Sequence, residues 1–430
     1  MAMVVKNNMS AISTLNTLNK NSSALSKSLQ KVSSGMKING AADDASGYAI
    51  SERMRVQIRG LDQANQNTQN GSSMMKVAEG AVSSTVDILK TLKEKVINAA
   101  NDTNTDADRQ TIQKELDQSI DQINDNANVT YNGKYLVDGS HNSKVTPTTT
   151  SMTNQSLAVD TDFDSTFTNL TDRNGNSLNI QSSDTITLSY VKEGKTHTVT
   201  AKGASSFNDI LGQVSTDLKA GSHSEYIGKD VAGDSVYTAD GKAGLTITAA
   251  GTGVSNQVSG ITFSVTDTKG NVKKSANALL DNFSESIRAQ SDSNDNSINL
   301  QVGTKSNQAI KVGLTDMRAT ALGLQAQDGT TLNISTKDYA NAAINVLDNA
   351  VQKALDQQTT IGAVQSRLEY TSSNLTTASE NVQSSESTIR DADMAKEMTN
   401  YTKNNVLMQA AQAMLSQANQ SSSSVLSLLQ

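Results

Sequence analysis

The sequence predicts a mainly α-helical protein whose long, paired N- and C-terminal helices form a coiled-coil shaft that carries a small β-hairpin and an α+β insert. Three observations predict this fold class. Apolar residues recur at alternating spacings of three and four near both ends of the 430-residue chain. The single proline, Pro147, leaves both ends free to form uninterrupted helices. Between the ends, Thr, Ser, Gly, Asp and Asn dominate from about residue 139 to about residue 296.

The first predicted helix carries a heptad pattern. Its apolar positions are Leu15, Leu18, Leu25, Leu29, Val32 and Met36, with Ser22 at the one polar position. The pattern stops at Gly35, and residues 39–44 are typical of a turn in which Asp43 and Asp44 precede a helix N-terminus. A second long helix is therefore predicted to begin after this turn.

The second and third helices are predicted to form a helical hairpin. The spacing of three and four continues from Met75 to Ala99, and a further helix carries Ile112, Leu116, Ile120 and Ile123. The polar segment 101–108 separates the two patterns and predicts the turn of the hairpin.

The C-terminal quarter repeats the heptad pattern. One register holds from Val364 to Ala392, so the two ends of the chain are predicted to pair. We expect the shaft to pack through Leu89, Leu92, Val96, Leu368, Leu375 and Val382. From Met394 the apolar stripe widens, and the chain closes on an apolar last turn.

The polar middle of the sequence is interpreted as a separate α+β domain. Alternation over residues 184–201 predicts a hairpin, Phe207 to Leu218 a helix, and residues 245–247 and 261–265 further strands. A last strand pair is predicted at 298–302 and 310–314, just before the C-terminal helices. The predicted division of the chain is 1–44, 45–140, 141–295, 296–393 and 394–430.

The helical ends contain too many Asn, Gln and Ser residues to bury enough apolar surface as an isolated coil. Intramolecular pairing is one interpretation of the stripes, and coverage by copies of the same molecule is a second, compatible one. Contacts between copies that do not close into a ring produce a fibre. The predicted self-assembly residues are Leu15, Leu18, Leu25, Leu29, Val32, Met398, Tyr401, Met408, Leu415, Leu426 and Leu429.

Composition and motifs argue against other functions. The net charge of −7 gives no basic footprint for nucleic acid or a membrane surface, and no segment has the length and apolarity of a membrane span. Cysteine is absent, and no His-Glu-x-x-His zinc motif occurs among the three histidines, His141, His197 and His223. Capping explains Asp43 and Asp44 better than acid/base catalysis. We therefore expect no enzymatic activity, metal or cofactor.

Two distant motifs make the chain resemble the flagellins. The N-terminal motif is Ser33-Ser34-Gly35-Met36-Lys37-Ile38-Asn39 with Ala42-Asp43-Asp44-Ala45-Ser46-Gly47. The C-terminal motif is Ile389-Arg390-Asp391-Ala392-Asp393-Met394-Ala395, followed by Gln417-Ala418-Asn419-Gln420 and the apolar end. The resemblance covers about residues 1–140 and 296–430, so the insert corresponds to the family's variable region.

The resemblance implies a subunit of the bacterial flagellar filament. Residues near 1–44 and 394–430 would form an inner tube, residues near 45–140 and 296–393 the next shell, and the insert would project outward. Flagellins leave the cell unfolded through a type III apparatus, without a cleaved signal peptide, and meet a filament cap and hook-filament junction proteins. An export chaperone would bind about residues 399–430, with Met408, Leu415, Leu426 and Leu429 as candidate anchors.

Recognition by the vertebrate Toll-like receptor for flagellin is a property of the family that this sequence is expected to show weakly. Where strongly stimulating relatives place an arginine and a leucine, this chain has Thr91 and Lys95, although Glu94 and Glu115 match. Two alternatives to the major filament subunit remain open at this point. They are a hook-filament junction protein, and a filament subunit whose insert acts as an adhesin.

Overall fold

A computed structural model describes residues 8–427, with side chains described as far as Ser421. Leu429 lies outside the described residues, and Leu426 lies in a helix at a position whose side chain is not described. The chain divides into two compact units. The first contains residues up to 68, 301–308 and from 370 onward, and the second contains 69–300 and 309–369. The predicted five-part division stays a prediction.

Three long helices form the N-terminal part of the chain: α1 (Met9–Ser34), α2 (Ala45–Ala99) and α3 (Asp106–Ala127). Helix α1 ends because Gly35 adopts φ +71° and donates its N–H to Lys31 O. The carboxylate of Asp44 accepts from the N–H groups of Ser46 and Gly47, which confirms its predicted capping role at α2. The pattern therefore predicts these helices correctly.

The middle of the chain holds short strands and helices. In order they are β1 (Thr130–Tyr131), β2 (Lys134–Tyr135), β3 (Ser151–Asn154), β4 (Thr185–Lys192), β5 (Lys195–Lys202), α4 (Phe207–Gln213), β6 (Leu218–Ser224), β7 (Tyr226–Lys229), β8 (Ser235–Tyr237), β9 (Gly244–Ala249), β10 (Val258–Thr266), α5 (Lys274–Leu280), β11 (Phe283–Ile287), β12 (Ile298–Gln301) and β13 (Ala309–Val312). The chain then forms α6 (Ala319–Leu322), α7 (Lys337–Arg390) and α8 (Met394–Ser427).

The insert is built on two antiparallel sheets with strand orders β10-β4-β5 and β11-β3-β9-β6. Its core contains the fully buried rings of Phe167, Phe207 and Phe263, with the first two centroids 4.5 Å apart. The predicted hairpin β4–β5, the predicted strands β9 and β10, and the predicted pair β12–β13 are all present. The α+β interpretation of the insert is confirmed.

The predicted helix from Phe207 to Leu218 is wrong at its C-terminal end. Helix α4 stops at Gln213, and Leu218 is the first residue of β6, where it pairs with Ala249. The N–H of Leu218 still donates to Val214 O at 2.9 Å, so a tight turn follows the helix directly. Val214 and Leu218 keep the helical spacing of apolar residues through that turn, so the sequence does not show where the helix ends.

Candidate assembly surfaces

Helices α1 and α8 pack against each other as an antiparallel pair within the first unit. Side-chain amides cross the pair at three levels: Asn8 Nδ2 donates to Ala418 O at 3.1 Å, Asn21 Nδ2 to Leu407 O at 3.2 Å, and Asn404 Nδ2 to Ser28 Oγ at 3.1 Å. The partners on the α8 side run backward along the chain while those on the α1 side run forward, so the helices point in opposite directions. Polar side chains therefore set the register of this pair.

The α1 side of the packed seam is offset from the predicted heptad. The least exposed positions at spacings of three and four are Ala11, Thr14, Leu18, Asn21, Leu25, Ser28 and Val32. Leu18, Leu25 and Val32 belong to both patterns, whereas Leu15 and Leu29 lie outside the packed seam and are 45% and 52% exposed. One residue earlier in each case, Thr14 is half-buried, and Ser28 is only 6% exposed and accepts a hydrogen bond from the Asn404 amide.

Helix α8 divides in the same way between a packed and an uncovered side. Tyr401, Met408 and Leu415 are half-buried along the packed side. Met398 is exposed, as are three residues that the sequence reasoning did not select, Val406, Leu407 and Met414. Lys403 is the last charged residue of α8, so charge does not mark which side of the helix beyond it faces solvent.

The large apolar side chains that the α1–α8 pair leaves exposed, as far as side chains are described, are called here the assembly faces. Their members are Met9, Ile12, Leu15 and Leu29 on α1 and Met394, Met398, Val406, Leu407 and Met414 on α8. Met9 is 70% exposed and Met414 is 62% exposed. The surrounding charges are few: α1 carries only Lys20, Lys27 and Lys31, and α8 only Lys396, Glu397 and Lys403. Interfaces between proteins are depleted of charge in their core in the same way.

The predicted shaft residues lie in both units. Leu89, Leu92, Val96 and Leu368 are buried in the second unit. In the first unit, Leu375 packs with Leu61 and Ala64, and Val382 lies against this small cluster. These positions hold apolar contacts inside the described part of the subunit.

The predicted receptor patch lies on the exposed surface of α2 and α3. Lys95 Nζ is 3.0 Å from Glu115 Oε1, and Glu94 is exposed. The Thr91 hydroxyl donates back to Asp87 O at 3.0 Å. The structure thus brings Lys95 and Glu115 together as a surface ion pair.

The three histidines contact backbone or a neighbouring ring. Nitrogen Nδ1 of His141 lies 3.2 Å from Asn296 O, Nε2 of His223 lies 2.7 Å from Val159 O, and His197 stacks on Tyr190. Within residues 8–427, no three His, Cys, Asp or Glu side chains are grouped so that they could hold a metal ion. None of the helices described is long and apolar enough to cross a membrane.

Comparisons with known proteins relate both ends of the chain to one family. The family profiles for the bacterial flagellin N-terminal helical region and C-terminal helical region match residues 5–142 and 344–429. The chain is 35% identical to a flagellin of Clostridium tyrobutyricum over 97% of this chain and 99% of that protein. It is 32% identical to a flagellin of Bacillus subtilis over 99% and 100%. A crystal structure of flagellar hook associated protein-3 from Legionella pneumophila matches with a TM-score of 0.33 and 15% identity over 78% of this chain and 97% of that one.

Proposed function

Because this chain belongs to the bacterial flagellin family and is a subunit of the extracellular flagellar filament, we propose that it polymerises through the assembly faces of α1 and α8. The observation that carries the proposal is the exposure of leucine and methionine side chains on both helices of a pair whose own seam contains Thr14, Asn21 and Ser28. A neighbouring copy can bury the apolar side chains that the α1–α8 pair leaves exposed.

Burial of the assembly faces by neighbouring copies would couple assembly to folding. Burying the remaining exposed half of a leucine contributes about 1 kcal/mol, so several such side chains on each helix contribute substantially to association. The polar seam provides less burial than an all-apolar coiled coil and costs stability in the isolated subunit. Packing against copies would therefore supply part of the stability of α1 and α8.

An open-ended helical polymer follows when two different faces of one subunit meet. Nine apolar side chains on two antiparallel helices give each copy extended surfaces of this kind. Leu18, Leu25, Val32, Tyr401, Met408 and Leu415 would act inside the subunit, by holding the pair together. Leu15, Leu29 and Met398 would act between subunits.

The same surfaces suit the partners that the subunit meets before and after assembly. Residues 399–430 would bind an export chaperone, which covers an apolar helix face in a groove while the subunit awaits export. The chain would leave the cell unfolded and without cleavage of a signal peptide. The filament cap and the hook-filament junction proteins would then contact the same terminal helices. The role is structural, and we propose no enzymatic activity for it.

Electron microscopy of negatively stained samples tests the proposal. Purified subunits are examined after addition of ammonium sulfate or filament seeds, beside a variant that lacks residues 1–44 and 394–430. We expect long filaments from the intact chain and none from the truncated chain. Intact chains that remain monomeric under these conditions would overturn the proposal that the assembly faces drive polymerisation.

A further inference from the structure

The two loops that lead into the α1–α8 pair are joined to each other. The N–H of Ala392 donates to Gly35 O at 2.9 Å, and Met36 and Asp391 form an isolated antiparallel bridge. We call residues 35–44 and 390–393 the joint. All of it lies in the first unit, together with α1, α8 and the adjoining parts of α2 and α7.

Arg390 makes the largest set of contacts in the joint. Arg390 is only 5% exposed, and its carbonyl oxygen accepts a hydrogen bond from Lys37 N at 2.7 Å. Its guanidinium donates through NH1 to Glu52 Oε1 at 2.6 Å and, more weakly, to Ser51 Oγ at 3.4 Å. One residue at the end of α7 therefore holds both the α1–α2 loop and the first turns of α2.

The remaining guanidinium contacts fix the orientation of the side chain. Nitrogen Nε points at Met36 Sδ at 3.2 Å, and the guanidinium carbon lies over the Tyr48 ring, 5.4 Å from its centroid. Hydrogen bonding to Arg390 lowers the pKa of the Glu52 carboxyl, so this partner stays charged. The planar guanidinium of arginine holds its N–H donors in fixed directions and can bond to these partners at the same time, whereas the ammonium group of lysine cannot.

The first turn of α2 packs closely against the joint. A Cβ atom added at Gly47 would lie 2.5 Å from Asp44 Oδ2 and 2.7 Å from Ile38 Cδ1. Both of these side chains belong to the α1–α2 loop. The segment between α7 and α8 contains only residues 391–393, which leaves few backbone dihedral angles to absorb a displacement.

From this geometry we infer that Arg390 is a positioning residue, which sets the angle between the α1–α8 pair and the adjoining turns of α2 and α7, and so sets the helical twist of the polymer. The inference rests on the proposed function, because an angle within one subunit is repeated at every subunit of a filament. In a helical polymer a small change of this angle accumulates along the fibre. Arg390 acts through the placement of the assembly faces and belongs to neither of them.

The test is Arg390→Lys in the full chain, with helical twist per subunit measured by electron cryo-microscopy of filaments. The matched control is Arg173→Lys in the insert, a second arginine whose NH1 has two acceptors, Leu157 O at 3.0 Å and Ala243 O at 2.9 Å. We expect Arg390→Lys filaments with a twist outside the wild-type range and Arg173→Lys filaments within it. Arg390→Lys filaments with wild-type twist would overturn the inference and leave the proposed function intact.

A second variant covers the case in which Arg390→Lys forms no filaments. Glu52→Gln keeps an acceptor for the guanidinium but removes its charge, so it weakens the same contact by less. A changed twist in Glu52→Gln filaments supports the inference, and an unchanged twist contradicts it. Wild-type subunits that form no filaments would instead contradict the proposed function.

Discussion

The side-chain amide of Asn404 donates to the hydroxyl of Ser28 across the α1–α8 pair, at a distance of 3.1 Å. Leu29, the next residue, faces away from the seam and is half-exposed. A polar contact inside a seam specifies register and costs stability, while the leucine beside it remains available to another molecule. The helix pair therefore has a defined register of its own and still exposes apolar surface that a neighbouring copy can cover.

Gly35→Ala is expected to destabilise the filament. Gly35 ends α1 with φ +71°, a region that alanine enters only at a cost of about 1 kcal/mol. The midpoint temperature of filament disassembly should therefore fall. The contrasting variant is Gly80→Ala, where an added Cβ meets nothing within 4 Å and φ is helical. Gly80→Ala should instead stabilise by about 0.5–1 kcal/mol, and a fall of the midpoint in both variants would contradict this reasoning.

Asp281→Asn is expected to stabilise the insert at pH 7.5 and to have little effect at pH 4. Burial raises the pKa of Asp281 from 3.8 to about 6, against the hydrogen bond from Phe263 N that lowers it. Because the folded state holds this proton more tightly than the unfolded state, the stabilising contribution is present below pH 3.8 and is lost as pH rises through 6. Calorimetry should show a gain of about 2 kcal/mol at pH 7.5, allowing for partial solvation.

Asp267→Asn provides the control of opposite sign. Hydrogen bonds from the Asn271 side chain and backbone lower the pKa of Asp267. Its contribution to stability is therefore present above pH 3.8 and is lost as pH falls through the lowered pKa of the folded state. Asp267→Asn should destabilise the insert near neutral pH. The same direction of change for both variants at pH 7.5 would refute the assignment of these shifts.

Lys273→Met is expected to destabilise the insert by about 3 kcal/mol, since it leaves the buried Asp184 carboxylate without its cation. Lys273 Nζ lies 2.6 Å from Asp184 Oδ2, and Asp184 is almost completely buried. Lys195→Met removes the exposed pair with Asp328, at 3.1 Å, and should cost about 0–1 kcal/mol. Chemical denaturation of the full chain compares the two variants, and equal losses would show that burial does not decide the cost.

Thr91→Arg combined with Lys95→Leu is expected to increase signalling through the Toll-like receptor for flagellin. The change introduces the two side chain types that strongly stimulating relatives carry, and it removes the Lys95–Glu115 ion pair, which frees Glu115. A reporter assay with purified monomer measures potency. Thr198→Arg, an exposed site in β5, controls for added charge. Full potency of the unchanged chain would contradict the expectation that its signalling is weak.

Sequence periodicity predicted the long helices because their apolar spacing runs for several turns with few breakers, and it predicted β4–β5 because inward and outward residues alternate there. It did not reveal β3, since Ser151–Asn154 are all buried and show no alternation. It also placed the α1 seam one residue away at Leu15 and Leu29. That offset depends on partners such as Asn404, which lies hundreds of residues away and has no signal in the local pattern.

The critical concentration for polymerisation reports whether the exposed side chains of α1 contribute to contacts between subunits. The variant Ile12→Ser with Leu15→Ser and Leu29→Ser changes three exposed side chains of the assembly face on α1, and Val272→Ser changes an exposed side chain of the insert as a control. Loss of about 1 kcal/mol of burial at each position should raise the critical concentration about 100-fold, measured by sedimentation, while Val272→Ser leaves it unchanged. A triple variant that polymerises at the wild-type concentration would contradict assembly through this face.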